Sequence, residues 1–314
     1  MTVKYKMSDE ISNGSFKESQ SELANMITEI CGPNQFAWLE DHVNQTIQIS
    51  KELLLSKMGE NLLKIGKSFS KKFVVISFSE RTLAATPSPF GLVPVGHWLR
   101  NDLARIYFIT QVFEKTYQPS ERFIALYKLY DAGDTESKVA CLRALNFIEG
   151  VVADGLEIIH DAGRTYLSEL MEAGWCHHPF SSQQLTTEEF RKAVMKALFC
   201  NVSIEGFMGI DRIADQELSR RLSEFANERE AADRTVPAAV WRVASYFPVP
   251  GLVARLIGRL EHPSAEERET AVISLGRTRD PKALPFMEDR LLREEDMNIK
   301  CRLEEAISLL TSMN

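Results

Sequence analysis

No stretch of this 314-residue chain is apolar for long enough to cross a bilayer as a helix. The most apolar run, Phe73-Val-Val-Ile-Ser-Phe78, falls far short of the ~20 residues a span needs. The opening MTVKYKMSDEISNGSFKESQ holds no apolar core of the kind a secretion signal carries, so a cytoplasmic location is the expectation. CxxC, HxxxH and HExxH spacings are missing, as are a phosphate-loop glycine pattern and a nucleophile elbow. No motif therefore names a reaction, and neither a metal nor a cofactor is expected. Lysine and arginine form no dense run and the formal net charge is −7, a field that repels nucleic acid. The five cysteines, Cys31, Cys141, Cys176, Cys200 and Cys301, are odd in number and unpaired by spacing, which fits reduced, mostly buried thiols.

What the chain does have is helical periodicity. Hydrophobic residues make up 44% and charged residues 26%, enough of the first to build a sizeable core. Residues 1–14 read as a polar tail. Ser19-x-x-Glu22 offers a capping box ahead of Leu23, Met26, Ile27 and Ile30, and Gly32-Pro33 stops one helix and starts another. Phe36, Leu39, Val43, Ile47 and Leu54 continue as one stripe. A third helix is expected over 58–82, with the β-branched Val74-Val75-Ile76 as the one place where a strand competes. Thr86-Pro-Ser-Pro-Phe-Gly91 and Val93-Pro94-Val-Gly96 cannot continue a helix and read as a loop.

Helices are expected again at 98–116, 120–131 and 134–149, the last capped by Asp134. A segment over 151–173 should be interrupted at Gly163. Residues 174–185 read as a loop, and Thr186-x-x-Glu189 as a capping box for the helix through Cys200. Further helices follow at 213–233 and 237–247, with Pro237 in a first turn. Period-two alternation is absent throughout, so the fold class is all-α, a solenoid of antiparallel helix pairs.

The last sixty residues carry a repeat. Leu252–Leu260 is an apolar-striped helix, and Ser264-x-x-Glu267 opens another that should stop at Gly276. Asp280-Pro281 restarts the chain. Leu284, Met287 and Leu291 echo Val253, Leu256 and Leu260 thirty-one positions on, and Arg302 and Leu309 echo Arg268 and Leu275 thirty-four positions on. That slipping period belongs to helical hairpins that bury their apolar faces against neighbours. The LGRTRDPKALP turn resembles HEAT-like repeats of the phycobilin-lyase type. The expected organisation is a tail over 1–14, a helical domain over 15–249 and a HEAT-like extension over 250–314.

Residues 186–247 resemble the signature stretch of the EboA family. The matching positions are Val194-Met-Lys-Ala-Leu-Phe199, Gly209-Ile-Asp-Arg212, Leu218, Leu222, Asn227-Glu-Arg229, Ala231-Ala232, Arg234, Val236-Pro237 and Trp241-Arg242. Upstream, Phe78-Ser79-x-Arg81 and Leu103-Ala104-Arg105 fit as well. The chain departs from the family at Cys176-His177-His178-Pro179-Phe180, where an Asn-Pro-Tyr turn is usual, at Phe190-Arg191-Lys192-Ala193 and at Arg212-Ile-Ala-Asp215. The resemblance implies a place in a pathway that makes or exports a secondary metabolite. It implies partners among metabolites and pathway enzymes, with peripheral contact to a membrane-embedded pathway protein.

Several side chains invite a functional reading beside a structural one. Cys176-His177-His178 is either a turn with one ring packed and one exposed or, were the fold to bring in His160, Glu205 or Asp211, a metal site. Asp211-Arg212 follows the glycine-punctuated Gly206-Phe-Met-Gly209, and reads as an inter-helix turn or a polar clamp. Glu228 is a candidate acid or base, with Lys196, Arg212, Arg229 and Arg234 to meet an anionic group; the structural reading is ion pairs between hairpins. Trp175 and Phe180 flank the histidines and are candidates for an apolar contact. The leading expectation is a helical binding protein holding a small-molecule intermediate or partner enzyme in a groove. The alternative is an enzyme using Glu228, Asp211, His177 and His178 as acid–base groups, and a HEAT-type binder of damaged DNA is set aside on charge. The sharpest form of the idea places Trp175, Lys196, Asp211, Arg212, Glu228 and Arg229 around one cavity.

Overall fold

The computed structural model describes residues 16–74 and 85–312. The tail over 1–14, Val75-Ile76 and Phe78-Ser79-x-Arg81 lie outside them. The described residues are overwhelmingly helical, as the periodicity requires, and they cluster into two compact units.

The first unit runs to Glu189 and adds Phe199–Val202 and Gly206–Met208. It opens with α1 (Phe16–Cys31), α2 (Pro33–Thr46) and α3 (Lys51–Ser68). Gly32, at φ 89°, turns the chain where only glycine sits without strain, and Pro33 fills the first turn of α2. Ser19 is buried inside α1, so the expected capping box there does not form. The single stripe over 36–54 breaks between α2 and α3. The helix expected over 58–82 instead ends at Ser68: Phe69 turns extended and Val74 N–H donates to Trp98 O, while Phe73 bridges Leu99.

The expected loop at 86–96 is a hairpin, β1 (Ala85–Ser88) paired antiparallel with β2 (Gly91–Pro94). Ser88 Oγ donates to Gly91 O and accepts from Phe90 N–H, closing the turn. Strands this short, carrying prolines that a two-stranded ribbon tolerates at its edges, leave no period-two signature to read.

Next come α4 (Arg100–Thr116), α5 (Pro119–Ala132), α6 (Thr135–Ala144), α7 (Leu156–Arg164), α8 (Ser168–Trp175) and α9 (Pro179–Gln184). Asp134 caps α6 through Ser137 N–H as expected. α4 is buried nearly all round, from Leu103 to Phe113, and packs against α1, α2, α3 and α6. That is the signature of a central helix. α6 then packs on α8, and α7 on α8. The helix is not interrupted at Gly163: α7 runs through it and ends at Arg164, and the glycine serves a close approach, since a Cβ there would meet the Trp175 ring at 2.6 Å.

The second unit comprises Phe190–Leu198, Ser203–Glu205 and Gly209 onward. Its helices are most of α10 (Thr187–Phe199), then α11 (Ile210–Ile213), α12 (Gln216–Ala231), α13 (Ala238–Ala244), α14 (Leu252–Arg259), α15 (Ala265–Thr278), α16 (Leu284–Arg293) and α17 (Met297–Thr311). The Thr186–Glu189 capping box at the start of α10 is complete in both directions. Pairs α12–α13, α14–α15 and α16–α17 pack as hairpins, and α13, α15 and α17 stack in turn, the HEAT arrangement. The boundary expected at 249/250 therefore falls inside this unit.

Gly276 does not stop α15. A Cβ there would meet Ala306 Cβ at 3.0 Å, so the glycine serves the close approach of α17. The stop is Arg279, left-handed at φ 53°.

Candidate functional site

The polar interior of the first unit centres on Arg143, in α6. Its side chain is 12% exposed, and its Nη1 donates to Asp102 Oδ2 at 2.8 Å. The guanidinium lies 5.1 Å from the centre of the Trp98 ring, a cation–π placement. Asp102 is shared, because Arg105 Nη1 stands 3.7 Å from its other oxygen. Arg105 is itself 2% exposed and reaches Glu136 and Leu62 O.

Two imidazoles stand in the field of Arg143. His97 and His177 lie with ring centroids 4.3 Å apart at a tilt of 41°, and neither ring makes a hydrogen bond to a described residue. His177 has left-handed φ of 54°. Its N–H donates to Gly206 O at 2.7 Å while Cys176 pairs with Phe207, and this backbone clasp holds the unfavourable conformation. Gly206 has to be bare: a Cβ would sit 2.7 Å from Cys176 Cβ and 3.1 Å from His177 Nε2.

Burial, the His177 ring and Arg143 push the His97 pKa down to about 2. Burial and Arg143 push that of His177 down to about 4. Both rings are thus neutral at physiological pH, each offering one donor and one acceptor. Burial, with Glu172 nearby, lifts the Cys176 thiol to about 12, so it is neither nucleophile nor thiolate ligand. Burial also raises the Glu172 carboxyl. Among the described residues no three His, Cys, Asp or Glu side chains are grouped as a metal ion would need.

The sequence-expected residues fare unevenly. His178 is buried, its Nε2 donating to Leu142 O at 2.9 Å and its Nδ1 accepting from Ser181 N–H to cap α9. Both nitrogens are spent, so His178 is a structural residue and not an acid or base. Phe180 is wholly buried edge-on to Phe90, and its N–H donates to Asn146 Oδ1. Trp175, 7% exposed, lies on Gly163 and beside Phe207. Both aromatic residues are core.

Lys196, Asp211, Arg212, Glu228, Arg229 and Arg234 belong to the second unit. Asp211 and Arg212 stand exposed on the four-residue α11, and Glu228 and Arg234 are exposed too. Such exposed positions enclose no cavity among themselves, and Trp175 belongs to the first unit. Arg229 Nε donates to Thr235 O at 2.6 Å and its guanidinium covers Phe225, pinning the turn after α12. Lys196 is half-buried on α10. The second unit also carries an open groove of about 840 Å³, apolar along Pro248, Val249, Val253, Ile257 and Phe286, with Lys282 at its rim. None of the expected site residues lines it.

Sequence reasoning missed His97 and Arg143. Arg143, between Leu142 and Ala144 in the apolar second half of its helix, carried the signal that singled out Lys196. His97 had none, because a lone histidine after a proline-rich turn says nothing about its spatial neighbour.

No helix among the described residues is long and apolar enough to cross a membrane. No curated protein and no solved structure matches the chain. HEAT repeats match residues 222–308. The family described as "Metabolite traffic protein EboA" matches residues 19–245, well over half the length, and the chain belongs to that family.

Proposed function

We propose that the protein is a binding protein of a secondary-metabolite biosynthesis or export pathway, and that it holds a small-molecule intermediate at His97, His177 and Arg143. The observation behind this is a pair of partly exposed imidazoles, 4.3 Å apart, whose nitrogens make no hydrogen bond to a described residue, and a guanidinium that is 12% exposed. Imidazole nitrogens within reach of solvent can meet a ligand, and a left-handed residue is not kept against its preference without a return. A ligand with matching polar atoms supplies the missing partners. Membership of a metabolite traffic family favours a carried molecule over a transformed one, and the HEAT pairs of the second unit suit a partner enzyme. The alternative, acid–base catalysis by Glu228 and Asp211, lacks a shielded setting for either carboxylate.

The test is mass spectrometry of small molecules retained by the purified full chain, beside a His177→Asn variant. Asparagine tolerates the left-handed backbone, so the fold should persist. Retention of the bound metabolite is expected to fall about ten-fold or more, the usual loss for one or two hydrogen bonds. An unchanged metabolite profile in His177→Asn would count against the site.

A further inference from the structure

Resting on the reading that the HEAT pairs hold a partner enzyme, and independently of the histidine site, we propose that this partner docks in the open groove of the second unit through an apolar segment that carries an aspartate or glutamate. The groove is not on the stacked helices α13, α15 and α17. It forms where α14 and α16 begin, lined by Val253 and Ile257 from α14, Phe286 from α16, and Pro248 and Val249 ahead of α14. The prolines at 248 and 250 and the left-handed Gly251, at φ 88°, fix that wall in advance, so an occupant has little to order. Phe286 keeps 51% of its surface exposed. A groove that open leaves a small molecule largely in water, whereas small-molecule sites enclose most of theirs. A protein segment brings its own cover, and an apolar centre with a charged rim is what such a segment meets at an interface.

The rim names the charge of that segment. Elsewhere in the unit arginines have a carboxylate within reach: Arg242 has Glu205, Arg255 has Glu230 and Arg268 has Glu294. Among the described residues no carboxylate stands in ion-pair distance of Arg277, Arg279 or Lys282. The Arg277 guanidinium lies 4.8 Å from the centre of the Tyr246 ring and donates to Arg242 O at 3.0 Å, which holds it in place and leaves further N–H donors. Lys282 lines the groove, Arg279 is bonded to the lining Asp280, and Tyr246 stands two residues before Pro248. Consecutive Cα atoms are ~3.8 Å apart, so all three cations border the groove. The acids nearby are Asp280, whose Oδ1 accepts from Lys282 N–H at 2.9 Å, and Asp211, whose charge reaches Tyr246. With both of these ionised, three cations still stand against two acids. A partner carboxylate at the rim therefore finds charged donors without a rival anion on them, and a partner lysine does not.

Selection of short random peptides, displayed on phage, on the immobilised full chain tests this. The expected result is a consensus of apolar residues with an aspartate or glutamate, whose labelled synthetic form is then titrated by fluorescence anisotropy. Phe286→Glu, at an exposed position that spares the fold, should weaken that peptide about ten-fold or more. The double variant Arg279→Asn/Lys282→Glu should turn the selection from acidic peptides to basic ones, since asparagine keeps the left-handed backbone of Arg279. His177→Asn should select the same peptides as the native chain, so the metabolite site and the docking groove are read separately. A consensus without an acid, or one that the charge-reversed variant leaves unmoved, would overturn the carboxylate. Enrichment that survives Phe286→Glu would overturn the groove but leave a protein partner standing, and no enrichment at all would overturn both. Self-association of the native chain in sedimentation, abolished by Phe286→Glu, would make a second copy the occupant and overturn the foreign partner.

Discussion

The two units set their charges in different surroundings. In the second, arginines and carboxylates link successive hairpins. Arg268 and Arg290 converge on Glu294, whose side chain has no exposure, and Glu230 joins Arg255 to Arg259. Two carboxylates there, Glu294 and Glu230, are each shared by two arginines, and the pairs link successive hairpins. In the first unit the charges fold inward around irregular turns, two guanidinium groups share one carboxylate, and the histidines are kept neutral. Repetition lets a chain link its charges hairpin by hairpin, whereas the irregular unit gathers them once, beside histidines kept neutral.

Acid should separate the units most. His97, His177 and His178 are held well below the usual histidine value, the last two to about 4. Between about pH 6.5 and those values the unfolded chain binds protons that the folded one refuses, so stability is full above 6.5 and falls as pH drops. Each such group removes about 1.4 kcal/mol per pH unit. Backbone hydrogen exchange at pH 5 should therefore speed up in α6 and α8 while α15 and α17 stay protected. Equal loss in both units would erase the contrast.

The second unit has its own acid limit, at lower pH. The Arg268 and Arg290 guanidinium groups hold the Glu294 carboxyl down to about 2. Its contribution is present above the ordinary glutamate value, about 4.3, and is lost as pH falls toward 2. Removing the charge outright, in Glu294→Gln, should cost about 3–5 kcal/mol in urea denaturation, the penalty for orphaning buried ions. A cost below 1 kcal/mol would show that the pair is better solvated than its burial implies.

Gly206→Ala should have the smallest effect on stability, about 1–3 kcal/mol for overpacking, and should sharpen the comparison by acting on the site. The added methyl pushes on Cys176 and His177, so the NMR signals of His97 and His177 should lose their mutual ring-current shifts while the HEAT helices keep theirs. Unchanged histidine signals would mean the clasp yields elsewhere.

The same contrast decides what the sequence could reveal. Caps at Asp134, Thr186 and Asp280 were legible because a cap is a local bargain between a side chain and the next few N–H groups. The HEAT hairpins were legible because the period repeats. The hairpin of Ala85–Ser88 with Gly91–Pro94 was not, since four-residue strands rich in proline and glycine look like any turn. The site was half legible. His177 was singled out, but its partner lies far away in the chain, and Glu228 drew attention through its family-like surroundings although the fold leaves it exposed. Charge in a sequence shows where polarity sits and not which way it faces.

The Arg255 and Arg259 guanidinium groups stand 4.7 and 4.5 Å from the centre of the Trp241 ring, and the indole has no exposure. Trp38, Trp98 and Trp175 all belong to the first unit, so Trp241 is the second unit's sole indole. Its ultraviolet emission, dry and flanked by cations, is a private optical channel for the HEAT repeats. The difference in fluorescence between the native chain and Trp241→Phe isolates that channel, and Trp98, against Arg143, supplies a second one in the first unit.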